Sequence, residues 1–78
     1  MTWFESWFEG AWQETLEFID PHEKMNEAQV LSARFLLAHG MALALMHTDD
    51  PFGPEAINYA RGLMERVKAI PEAHGQAS

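Results

Sequence analysis

The chain has no cysteine. Disulfide stabilisation, thiol nucleophiles, CxxC redox pairs and Cys-based zinc sites are thereby excluded, and the composition fits a reducing compartment. Basic residues are scarce, five Lys and Arg against twelve Asp and Glu, for a formal net charge of −7. That balance argues against direct binding to nucleic acid or to an anionic membrane surface, both of which reward positive charge. No long apolar run is present. The longest nearly apolar stretch, Phe35 to Met46, is interrupted by His39 and Gly40 and falls short of the ~20 residues a bilayer requires. The N-terminus carries Glu5 and Glu9 and no basic cluster, so a secretory signal is not expected and the cytoplasm is the expected location. Gly-rich phosphate loops, HExxH and EF-hand patterns are missing too.

What is there suffices for one domain. Apolar residues make up 47% of the 78 and aromatics 12%, enough to form a core and to set aside wholesale disorder. A core of this size supplies only about 3–5 kcal/mol of net stability, so such domains often recruit a partner surface. Residues 1–71 are expected to form a single all-α three-helix domain, with 72–78 a polar tail.

Three helices follow from the pattern. Thr2-Trp3-Phe4-Glu5 has the form of a capping box, in which hydroxyl and carboxylate satisfy free backbone N–H groups. The first helix should end near Asp20, because Pro21 disfavours helical geometry in the residue before it. Asn26-Glu27-Ala28-Gln29 opens the second helix in the same way. That helix is apolar almost all round and reads as central, with Ala38, Ala42, Ala44 and Gly40 expected to let neighbours approach and Gly40 and Ala44 at close helix contacts. His47 to Pro54 is turn chemistry, and Pro54 suits the first position of the third helix. Ala56, Ile57, Ala60, Leu63, Met64, Val67 and Ile70 then line one side of that helix, opposite Arg61, Glu65 and Lys68. Short connections predict an up-down-up bundle, or a helical hairpin with a packed N-terminal helix.

The first helix holds more aromatic surface than one hairpin can cover. Phe4, Phe8, Trp12, Leu16 and Ile19 recur at i, i+4 spacing as a core stripe, while Trp3 and Trp7, with Ala11 and Phe18, shift toward a flank. Either all of these serve the core, as large aromatics do in small domains, or part of the set is buried against another protein. Charge is as uneven. Residues 1–20 hold Glu5, Glu9, Glu14, Glu17 and Asp20 with no Lys or Arg, a balance of −5; residues 21–50 balance at −2 and 51–78 at zero. An acidic, aromatic surface matches a basic, partly apolar groove on a protein partner.

The expected role is therefore a non-enzymatic module that binds and regulates or inhibits a larger protein. Its partner-facing residues are expected to be Trp3, Trp7, Phe8, Glu9, Glu14, Phe35 and His39. A homodimer is also expected, with Trp3, Trp7, Phe35 and His39 in one patch and association sensitive to the charge on His39. The format resembles that of small inhibitors, adaptors and phage-encoded antagonists of bacterial machinery, a likeness of type and not of motif. The competing class is a metal- or ligand-binding helical protein that uses its histidines. His39 and His47 lie two turns apart, ~12 Å, and cannot share an ion. His22, Glu23, Glu72 and His74 meet at one end of an up-down-up bundle, although their spacing matches no ligand pattern. Ser6 and Ser32 lack a positioned base, and no cofactor is expected.

Overall fold

A computed structural model describes residues 2–70, and these form a three-helix bundle: α1 (Trp3–Ile19), α2 (Glu27–His47) and α3 (Gly53–Lys68). The sequence expectations for the tail, Glu72 and His74 lie outside the described residues.

Local chemistry accounts for the helix starts. At α2 the capping box is complete: the Gln29 N–H donates to Asn26 Oδ1 at 2.8 Å and the Asn26 N–H to Gln29 Oε1 at 2.9 Å. At α1 it is half made. The Glu5 N–H donates to Thr2 Oγ1 at 3.2 Å, but the Glu5 carboxylate accepts from the Thr2 hydroxyl at 3.1 Å. A long-range acceptor completes that turn, because the Phe4 N–H donates to Glu55 Oε2 of α3 at 3.1 Å. Glu55 thus lies in the first turn of its own helix and against the start of another, both places where a negative charge is favoured. α3 begins one residue before Pro54, at Gly53, and Asp50 organises its approach by accepting from the Phe52 N–H at 2.9 Å.

The α1–α2 connection is anchored by Asp20, a buried carboxylate. Its two oxygens accept from the Lys24 N–H at 2.7 Å and the Met25 N–H at 3.0 Å. These bonds satisfy the charge that burial removes from water and hold a turn in which Glu23 adopts a left-handed φ of 51°.

α2 and α3 are the most closely packed pair. Ala38 and Ala42 on α2 and Ala56 and Ala60 on α3 are buried, and side chains this small let two helix backbones approach. Gly53 is buried at the turn, where an added Cβ would stand 2.7 Å from Met46 Sδ. α1 lies across this hairpin and stands off on large rings: Phe4, Phe8 and Trp12 are buried with Leu31 and Leu63 in one core. Tyr59 receives Phe4 and Phe8 at centroid distances of 5.5 and 5.3 Å.

Two expectations about this packing need correction. Gly40 and Ala44 do not sit at helix contacts; both are exposed, and a Cβ at Gly40 would meet nothing within 4 Å. Of the four small residues expected to admit neighbours, only Ala38 and Ala42 face inward, so α2 is rotated away from the face that Gly40 and Ala44 define. Ile19 was expected in the core stripe and is exposed, at the last residue of α1 and about two turns past Trp12, the last of that helix's buried rings.

Candidate protein-binding surface

The sequence-predicted residues fall into three groups. Phe8 belongs to none of the surfaces, since it is fully buried; its expected partner-facing role is corrected to a core one. Glu9 is committed internally. It pairs with Arg34 of α2, whose guanidinium also lies 5.1 Å from the Phe8 ring centroid and 5.4 Å from that of Trp12. Arg34 therefore closes the α1–α2 contact as a lid over two core rings, an arrangement that combines ion pairing with cation–π attraction.

Trp3, Trp7 and Glu14 form the second group, along one flank of α1. Trp3 is 49% exposed and Trp7 41%. The two rings meet at 5.4 Å, and Trp3 stacks on Phe52 at 4.5 Å with planes 26° apart. Trp7 also meets the buried Phe4 edge-on at 5.9 Å, so the exposed aromatics rest on the core. A groove continues from them, lined by Ser6, Trp7, Gly10, Ala11 and Glu14. At ~100° per residue, Phe18 lies on the same flank and is 88% exposed. Glu14 and Glu17 are exposed, and neither has an ion-pair partner among the described residues. Phe52 is a member of this surface that sequence reasoning passed over as a turn residue.

Phe35 and His39 form the third group. They stack on each other at 5.4 Å beside a cavity of about 190 Å³ between α2 and α3, completed by Ile57, Ala60, Arg61 and Met64. No residue of α1 lines it. Ile57 lies roughly 160° round α3 from Tyr59, the residue that meets α1, so this cavity opens on the side of the hairpin away from α1. The four residues expected to share one dimer patch therefore occupy two separate surfaces.

Among the described residues no three His, Asp or Glu side chains converge as a metal would need. Every buried side-chain nitrogen and oxygen of the described residues has a hydrogen-bond partner. Comparison with protein-family models, with curated proteins and with solved structures gave no match.

α2 itself is more apolar than the interrupted run in the sequence suggested. Its most apolar 18-residue window reaches a mean hydropathy of 1.4, which by length and composition alone would suffice to cross a membrane, and 22% of that window is buried. Leu36, Leu43 and Met46 stand out from it, exposed.

Proposed function

We propose that this protein is a non-enzymatic cytoplasmic module that binds a larger protein through the aromatic, acidic flank of α1, and so regulates or inhibits it. One observation carries the reading: Trp3 and Trp7 are exposed at 49% and 41% although Trp7 rests on the buried Phe4 and Trp3 stacks between Trp7 and Phe52. Large rings held in place yet left half in water are suited to binding, because they lose little conformational entropy when a partner covers them.

The chemistry of the partner follows from what surrounds the rings. Glu14 and Glu17 lie on or beside the flank without cations of their own, and α1 contains no Lys or Arg. A basic rim around an apolar groove supplies both complements: the groove takes the indoles, and the rim steers approach and fixes register. Metal or ligand binding by the histidines is the weaker alternative. Equilibrium dialysis against transition metals separates the two, since a stoichiometric ion that raises the melting temperature belongs only to the latter.

Site-specific photocrosslinking tests the surface directly. Position 10 lies in the α1 groove, and a side chain built there meets nothing within 4 Å. A photoreactive residue at position 10 should yield a discrete adduct with one larger protein in the producing cell. The same residue at exposed Gln13, about 60° further round α1 from Gly10 and outside the groove, should yield much less. Equal labelling from both positions would contradict the assignment.

A further inference from the structure

We infer that the outer face of α2 is the contact between two copies of this chain, packed antiparallel about a two-fold axis near Gly40. This face is separate from the α1 flank and does not depend on the function proposed for it.

The first argument is charge. A chain of net charge −7 resists its own copy wherever acidic groups face each other, and a surface free of acidic groups escapes that repulsion. From Ala28 to Thr48 the sole Asp, Glu, Lys or Arg is Arg34, which is turned inward and paired with Glu9. The exposed strip holds Gln29, Leu36, Gly40, Leu43 and His47, with no formal charge when the imidazole is neutral. Leu36 is 66% exposed and Leu43 50%.

The second argument is symmetry. A two-fold axis that crosses a helix steeply makes the pair antiparallel and matches each residue with one equidistant on the other side. An axis beside Gly40 sets Leu36 of each copy against Leu43 of the other. Gly40 itself, with open space where a Cβ would stand, allows the backbones to close at the axis. Glu27 lies about half a turn round the helix from Leu36. A crossing angle of about −50° carries the helix ends, with Asp49 and Asp50, away from their counterparts.

Area sets the strength. The strip is ~27 Å long and one helix wide, which places the contact below the ~800 Å² per partner of a standard interface and its Kd in the micromolar range. Exposed apolar surface and screened acidic ends both make the dimer tighter at higher salt, the opposite of the trend for a basic partner on α1.

Sedimentation equilibrium of the full chain tests this, from about 10 to 500 µM. The expected result is concentration-dependent association toward twice the 8.9 kDa monomer mass. Leu36→Glu, at an exposed position, should keep the helical circular dichroism and weaken association about a hundredfold or more. Adding Leu43→Lys on the same chain should recover much of the loss, because the register opposes positions 36 and 43 across the axis. A strictly monomeric parent overturns the inference. So does a Leu36→Glu variant that dimerises as well as the parent, or a double variant with no recovery. A parent that is monomeric in solution yet floats with phosphatidylcholine vesicles also overturns it, and assigns the face to lipid.

Discussion

Trp3 stacks on Phe52 at a centroid distance of 4.5 Å, joining the start of α1 to the start of α3, while both rings stay more than a third exposed. The pair shows how the aromatic surplus of α1 is divided. One side of the helix is spent on the core, and the adjacent flank is held rigid by it without being covered.

That division predicts two classes of substitution. Phe8→Ala removes a fully buried ring and should cost about 3–5 kcal/mol, comparable to the whole stability of a domain this small. Trp7→Ala, on the exposed flank, should cost about 1 kcal/mol, mainly its contacts with Phe4 and Trp3. Urea titrations followed by circular dichroism measure both. Equal losses at the two positions would mean that Trp7 belongs to the core.

Arg34 should matter more than a surface ion pair. Arg34→Ala loses the Glu9 contact and the coverage of Phe8 and Trp12, and is expected to destabilise by about 1–3 kcal/mol. Arg34→Lys keeps the charge but not the flat guanidinium, and should recover less than half of that. Full recovery by lysine would reduce the site to charge alone.

Asp20 holds the first connection by two charge-assisted bonds. Asp20→Ala leaves two backbone N–H groups without their acceptor, with an expected cost of about 1–3 kcal/mol. Hydrogen exchange at the Lys24 and Met25 amides should accelerate selectively. Unchanged exchange there would show that the turn is held by something else.

Gly40→Ala should stabilise the dilute protein by about 0.5–1 kcal/mol, since the position is helical, exposed and unobstructed and glycine there only adds unfolded-state entropy. Thermal melts at low micromolar concentration check the sign. A destabilised variant would return Gly40 to a helix contact.

Most of the architecture was legible in the sequence. Thr2, Asn26 and the prolines marked the helix ends because capping is a local matter of one side chain and the next turn. The division of α1 into a core stripe through Phe4, Phe8 and Trp12 and a flank with Trp3 and Trp7 was also legible, since that helix has a polar side to define its phase, although Phe8 was counted toward the partner surface as well and is fully buried. α2 has none. Apolar on nearly every side, it offers no pattern that fixes its rotation, so nothing in the sequence announces that Arg34 faces α1, and Gly40 read as inward when it faces solvent. Long-range partners were invisible for a different reason: nothing near Glu55 in the sequence announces the Phe4 amide, and nothing near Phe52 announces Trp3. For the same reason Phe35 and His39 read as neighbours of the tryptophans, although they lie across the hairpin.

The central claim is that the α1 flank is the partner surface, and affinity capture from the producing cell by three immobilised chains tests it most directly. The parent and Leu36→Glu should retain the same larger, basic-grooved protein. The double variant Trp3→Ala/Trp7→Ala, still folded by circular dichroism, should lose it by about a hundredfold or more in affinity. Equal retention by the parent and the double tryptophan variant would contradict the account.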